Sequence, residues 1–476
     1  MAFEERVHRQ SRMIADTNNT VCDNSPGGKK NDIEKSKNNE NEEVLDENDR
    51  EYNFEHEETR LQYYKEYYPF VYKLLQTEQQ RTAAFHNDGK IQMNYPKSNE
   101  GWIKTVFIWK GRALDQILFP WSVVTINAIV WTAVYEYIVA ASSSSAHSNN
   151  KYLLSLQHST DNAFWSEIFN LLLNTTLGFL LVFRLNRSAT RFWLARQSWG
   201  IILVKCRAMV STILLYGKHQ PVARDACLQW IAVFAITTMH YIRGYTTVQH
   251  LATEPAMLEC YVGLLTQEEL QRMFHPITVT NPTQYAADQI RCYLAILFAA
   301  NDDNTTGNNS SNNSNRNRDR DDTSTMASTN TTNLATALLR TQQLIALEQQ
   351  LNVMIDEEGA MERIKGTPLP LVYVTHLRTW LLLYLLSLPY FWIATLRYGT
   401  IPVVILTSFA LLGIEGAASD VEAPFTKGRT NHLDMDTFCL IVVANILQQT
   451  QHDADFHKNN NYNNTNINTN NNRNSN

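Results

Sequence analysis

Thr175, Phe179 and Phe183 stand at i, i+4 and i+8 in an otherwise aliphatic run, and Arg184, Arg187 and Arg191 follow at once. On a helix that spacing places the first three on one face as a slowly turning stripe. Two uses fit the pattern. The rings pack against neighbouring helices, as apolar residues at this spacing commonly do, or, if several copies of the helix surround an axis, the stripe lines a narrow apolar throat. In the second case the chemistry is the passage of an anion. The rim of an aromatic ring is the positive part of its quadrupole, so Phe edges turned inward accept a partly dehydrated anion, and a hydrophobic constriction can gate by dewetting. The arginines then raise the local anion concentration below the throat, or serve as interfacial anchors for the helix end. Arg184, directly after Phe183, is the strongest candidate for the first role.

The element that must carry these residues is LLLNTTLGFLLVFRLNRSATRFWLARQSWG, Leu171 to Gly200. It is lipid-compatible as far as Phe183 and basic with Trp residues beyond it, the signature of a helix leaving a bilayer. Four stretches are apolar enough to span: about 118–140, 166–186, 371–395 and 400–418. Trp121, Tyr135 and Tyr137 lie near the ends of the first, where amphipathic rings prefer the interface. Asn170 and Asn174 interrupt the second, and polar groups at that depth face other helices or water. Pro389 should kink the third, and the short LRYG connection makes the third and fourth an antiparallel pair. The connection 141–163 has one Lys and no Arg whereas 187–366 is rich in both, which places both termini in the cytosol. Segments 187–300 and 333–366 mix charge with apolar residues at helical spacing, as at Trp230, Ile231, Phe234, Met239 and Ile242. The expected fold is an all-α membrane protein, with four transmembrane helices per subunit continuous with a helical cytosolic domain.

Composition varies along the 476 residues. Residues 1–60 are polar and acidic, 301–332 is an Asn-rich insert, and 458–476 is nearly pure Asn. None can bury enough apolar surface to offset chain entropy, so all three are expected to be disordered. They pull the mean hydropathy to -0.31 despite the long apolar runs. The net charge of -6 owes much to the acidic N-terminal segment, and no basic stripe suits nucleic acid. Six scattered cysteines (Cys22, Cys206, Cys227, Cys260, Cys292 and Cys439) show no CxxC and no zinc spacing, which fits a reducing compartment without structural disulfides. The opening MAFEERVHRQSRMIAD lacks an apolar core and carries acids early, which argues against a secretory signal and leaves insertion to the internal helices.

Several segments then agree with one another in order and spacing. WIKTVFIWKGRALDQILFP, Trp102 to Pro120, contains Trp109, Gly111 and Arg112; GFLLVFRLNRSATRFWLARQSWG follows from Gly178 to Gly200. ERIKGTPLPLVYVTHLRTWLLLYLLSLP, Glu362 to Pro389, carries T-P-x-P-x-x-Y-x-x-H-L with Pro368, Pro370 and His376. LLGIEGAASDVEAPFTKGRTNHLDMDTFC, Leu411 to Cys439, carries G-x-E and then E-x-P-F at Pro424 and Phe425. Together these resemble the bestrophin-like anion channel family, in the branch found in bacteria, fungi and plastids. The likeness spans about 100–457, interrupted by the Asn-rich insert. It implies a homopentamer with one central pore for chloride or other small monovalent anions, and a wider cytosolic vestibule below an apolar neck. Carried onto this chain, the neck falls on Thr175, Phe179 and Phe183, which favours the throat over simple packing. Thr175 departs from the usual aliphatic residue and should make the outer neck wetter.

Two further functions are weighed against this. Glu415, Glu422, His432, Asp434 and Asp436 could suggest an enzyme, but no nucleophile and base stand at an interpretable spacing, and neither a catalytic group nor a metal or cofactor is expected. A non-conducting membrane scaffold or channel regulator of the same fold is the other alternative. Animal members of the family bind calcium through acids following P-F, where a hard cation needs several oxygen ligands. Here TKGRTNHLDMD places Lys427 and Arg429 in that region, so no such clasp is expected. Pro368 and Pro370 should set the turn into the third span, and His376 reads as a hydrogen-bonded packing residue. The host membrane is a plasma or organellar one, plastids included.

Overall fold

The computed structural model describes residues 61–86, 114–144, 163–299, 323–426 and 432–473. Trp109, Gly111, Arg112, Lys427, Arg429, the acidic segment 1–60 and residues 301–322 of the insert lie outside them. Among the described residues every regular element is a helix: α1 Pro69–Gln76, α2 Glu78–His86, α3 Leu114–Ser144, α4 Ala163–Tyr216, α5 Pro221–Arg243, α6 Val248–Ala252, α7 Pro255–Glu259, α8 Gln267–Met273, α9 Pro282–Phe298, α10 Thr323–Gly366, α11 Leu371–Leu396, α12 Thr400–Glu422 and α13 Met435–Arg473. They form two compact units. One comprises 1–88, 201–356 and 436–476, the other 89–200 and 357–435.

Gln116–Ala140, Leu171–His219, Pro221–Arg243 and Leu371–Glu422 are long and apolar enough to cross a membrane. The last contains two helices, α11 and α12, joined by a single turn at Arg397–Gly399. In Pro221–Arg243, 83% of the apolar window is already buried within the protein. A helix so enclosed by its own chain has no face left for lipid, which keeps α5 in the body expected to be cytosolic. The membrane helices are therefore α3, α4, α11 and α12, the four expected. Their limits are wider than expected, most of all in α4, which continues unbroken to Tyr216.

In the unit that holds these helices, Ile117, Val124 and Ala128 of α3 meet Leu177 and Leu181 of α4, Leu377, Leu381, Leu385 and Leu388 of α11, and Val404 and Leu412 of α12. Polar side chains of α3 also bond carbonyls of the helices beside it in this core. Pro389 lacks the N–H that would bond the Leu385 carbonyl. At the next carbonyl, Leu386, the Asn127 side chain of α3 donates a hydrogen bond of 3.1 Å. Trp121 donates to the Ile405 carbonyl at 3.2 Å and sets its ring edge-on to Phe409.

The other unit is built around α5, whose residues from Leu228 to His240 are almost all buried. Pro221 opens that helix, and Gly244, at φ 102°, ends it in the left-handed conformation that glycine adopts at least cost. Asn281 caps α9 and a reciprocal Thr266–Glu269 capping box starts α8. Upstream, residues 61–86 pack by Tyr64, Tyr68, Phe70, Val71 and Leu74. Arg224 of α5 donates to the Tyr67 carbonyl at 2.7 Å, lies 4.2 Å above the Tyr68 ring and pairs with Asp225, which in turn accepts from the Phe70 N–H. Arg81 reaches the Val262 carbonyl at 3.1 Å. Next to it Gly263, at φ 81°, leaves room for Thr77, whose Oγ1 would stand 2.1 Å from an added Cβ.

Two helices run further than composition suggests. α10 begins at Thr323, inside the Asn-rich insert, and α13 extends to Arg473, well into the Asn-rich tail.

Candidate pore face and the charges behind it

The middle of α4 has two contrasting sides. Leu177, Leu181, Arg184 and Ser188, spaced by four, three and four, are almost wholly buried. Thr175, Val182 and the two phenylalanines are exposed, Phe179 to 65% and Phe183 to 49%. The structure thus brings Thr175, Phe179 and Phe183 onto one open face of the subunit. The two rings meet edge-on, 4.7 Å between centroids and 81° apart, the arrangement their quadrupoles prefer. Thr175 donates its hydroxyl to the Leu171 carbonyl at 2.8 Å, so its hydrogen is spent within its own helix and oxygen lone pairs remain.

The three arginines do not act alike. Arg184 is fully buried, with Nε 2.5 Å from Glu415 Oε2 and Nη2 3.3 Å from Glu422 Oε2. It was expected to attract anions; instead two carboxylates of α12 take its charge, because a buried cation must be paired. Arg191 is also occupied: Nη1 and Nη2 donate to the Thr367 and Ile364 carbonyls at 2.6 and 2.5 Å, and Nε approaches the Glu422 carbonyl at 3.4 Å. It thereby covers orphan carbonyls where α10 ends. Only Arg187 remains exposed, with no ion pair among the described residues.

Arg378 of α11 completes the network, donating to Glu415 Oε1 at 2.7 Å and to Ser419 at 3.0 Å. Glu422 Oε1 accepts from the Leu369 N–H at 3.2 Å in the turn that contains Pro368. Two donors thus share Glu415, and Glu422 bonds both a side chain and the backbone. Sequence reasoning missed Glu415, Glu422 and Arg378 as one set. A signal was present: Arg184 and Arg191 are seven apart, as are Glu415 and Glu422, so each pair shares a helix face. Arg378 and Glu415 are also isolated charges within apolar helices, where charges seek one another.

Pro370 caps the start of α11 and Phe425 is buried, while the Pro424 carbonyl accepts from the Leu433 N–H at 2.9 Å. His376 is not the packing residue expected. It is exposed, a third of a turn from the buried stripe of Leu377, Leu381, Leu385 and Leu388, with its ring edge-on to Trp380. Of the residues weighed for an enzyme, Glu415 and Glu422 belong to this network, Asp436 pairs with Arg243, and His432 stands 4.0 Å from Asp420 with its Nδ1 on the Thr426 carbonyl. Near the turn into α11, burial pulls the Lys365 amine below its ordinary range, and Glu362 partly opposes this.

Comparison with known proteins identifies the family and the fold. A voltage-dependent anion channel-forming protein of Nostoc sp. is 29% identical over 274 residues, 57% of this chain and 73% of that one. Its counterpart in Synechocystis sp. is 27% identical over 274 residues with the same coverage. A solved bacterial bestrophin homologue of Klebsiella pneumoniae aligns with a TM-score of 0.51 at 19% identity, covering 72% of this chain and all of that one, which shows the shared fold. The family profile described as Bacterial/Fungal Bestrophin protein matches residues 93–448, and the chain belongs to that family.

Proposed function

We propose that the protein is a passive, chloride-preferring anion channel. Copies of α4, in a homopentamer, surround one axis with Thr175, Phe179 and Phe183 as its neck. One observation carries this reading: two large aromatic side chains, edge-on to each other, stand open on the face of α4 opposite its buried stripe. Among the described residues of a single subunit that face has no partner. Around an axis it becomes a dry constriction whose ring edges favour weakly hydrated anions. Arg187, the arginine left unpaired, concentrates anions at the basic end of the neck. Both termini lie on the cytosolic side. Opening does not use a calcium clasp, because Lys427 and Arg429 occupy the stretch where acids would be needed. The relatives named as anion channel-forming proteins support the substrate class, and the engaged acids around α12 support a channel over an enzyme.

The test is planar-bilayer recording of the purified oligomer under a potassium chloride gradient. Reversal near the chloride potential and altered unitary conductance in Phe179→Ala and Phe183→Ala are expected. A monomeric mass, reversal near the potassium potential, or absent current from intact oligomer would instead identify a scaffold or a different pore.

A further inference from the structure

We infer that Glu415 and Glu422 are positioning residues for the pore, fixing through Arg184 the rotational setting at which α4 presents Phe179 and Phe183. The inference rests on the channel reading above. Apolar packing by Leu177 and Leu181 holds α4 against its neighbours, but the hydrophobic effect is non-directional and tolerates rotation of a helix about its axis. Hydrogen bonds to a guanidinium do not, because their strength falls steeply with angle. Arg184 is the next residue after Phe183, at the point where the buried stripe changes from leucine to polar groups. Two of its nitrogens are held by carboxylates one helical heptad apart on α12, and a third contact, Arg191 to the Glu422 carbonyl, repeats the attachment two turns further along.

The network also reaches the other helices of this unit. Glu415 is shared with Arg378 of α11, and Glu422 holds the Leu369 N–H of the turn leading into α11. A displacement of α11 or α12 therefore acts on Arg184, the residue next to Phe183. The attachment is not saturated: Arg184 Nη1 and Ser188 Oγ, one turn apart, are buried without a hydrogen-bond partner among the described residues. Groups left in this state make the arrangement less deep than its ion pairs alone suggest, which suits a part with more than one setting.

The experiment compares single-channel records of the full chain with Glu415→Gln, Glu422→Gln, Arg184→Lys and Phe179→Ala, after confirming that each variant has the parent oligomer mass. Glutamine keeps the shape of the carboxylate without its charge, and lysine keeps the charge without the fork. Removing single positions in a packed network changes a two-state equilibrium by about 2- to 30-fold. A shift of that order in open probability, or an altered unitary current, is expected in the assembled Glu422→Gln and Arg184→Lys channels. A merely structural role would lower the yield of oligomer and leave the surviving channels identical to the parent, which would overturn the inference. If the more enclosed Glu415→Gln fails to assemble, Glu422→Gln carries the comparison. Altered conductance in Phe179→Ala with parent-like Glu422→Gln and Arg184→Lys would sink the positioning role alone. No effect of Phe179→Ala would remove the pore reading, and the positioning role with it.

Discussion

Tyr68 donates its phenolic hydrogen to Asp453 Oδ2 at 2.7 Å, joining positions 385 residues apart. The bond fastens the helical segment 61–86 to α13 beside Arg224 and Asp225. A hydrogen bond to a charged acceptor is worth about 1.5–3 kcal/mol. Tyr68→Phe should lose roughly that, seen as faster amide exchange across 61–86. Parent-like protection there would show that the contact contributes nothing.

The same bond sets a pH dependence. Burial, and then the hydrogen bond and negative charge of Asp453, raise the Tyr68 phenol above its ordinary value of 10.0. A group raised in the folded state gives its full stabilisation below the unfolded value and loses it as pH climbs toward the folded one. The contribution of Tyr68 to docking is therefore constant from neutral pH to about 10 and weakens above it. The difference in exchange between parent and Tyr68→Phe should shrink over that alkaline range; a difference that grows would contradict the assignment.

Arg243 grips Asp436 with both terminal nitrogens, at 2.9 and 2.5 Å. The arginine side chain is nearly buried and the aspartate about a quarter exposed. Asp436→Asn leaves a buried cation short of its partner. The cost, discounted for the exposure of Asp436, is about 2–3 kcal/mol. A depressed thermal midpoint measures it, and an unchanged midpoint would count against the pair.

Arg187 and Arg191 are four residues apart yet should behave oppositely on replacement by Gln. Arg187→Gln should assemble normally and carry less current at low salt, with the deficit closing between about 0.01 M and 1 M as the Debye length falls from about 30 Å to 3 Å. Arg191→Gln should instead lower the yield of assembled protein, because carbonyls at the end of α10 lose their donor. A salt-independent deficit in Arg187→Gln would rule out its anion-concentrating role.

Arg397, in the turn between α11 and α12, has φ 47° and ψ -121°, a conformation costly for any residue with a Cβ. Its side chain is exposed, so little packing is at stake. Arg397→Gly should raise stability by about 1 kcal/mol, and a lower thermal midpoint would show that the side chain matters more than the backbone strain.

Much of the membrane part was legible because apolar length survives without knowledge of partners: the four spans emerge within a few residues of their helices, except where α4 continues. The stripe of Thr175, Phe179 and Phe183 was legible through helical spacing alone. The fate of the arginines was not. Arg184, Arg187 and Arg191 look equivalent along the chain, and only the placement of α12 and of the end of α10 separates a buried ion pair, an open charge and a carbonyl clamp. His376 was misjudged for a related reason: an apolar helix packed on one side has an outer face too. Residues 61–86 gave little warning of their role, since nothing local in a tyrosine-rich segment announces an aspartate at position 453.

The family profile begins at residue 93 and stops at 448, so it leaves out both α1 and α2 at one end and Asp453 at the other. Arg224 and Asp225, buried at 4% and 6%, lie beneath that omitted material. A chain trimmed to the matched limits would unroof this charged pair along with the apolar seat of Phe70, Val71 and Leu74. A piece of this protein that keeps its charged pair covered must therefore reach beyond the matched limits at both ends, since Tyr68 and Asp453 hold one another in place.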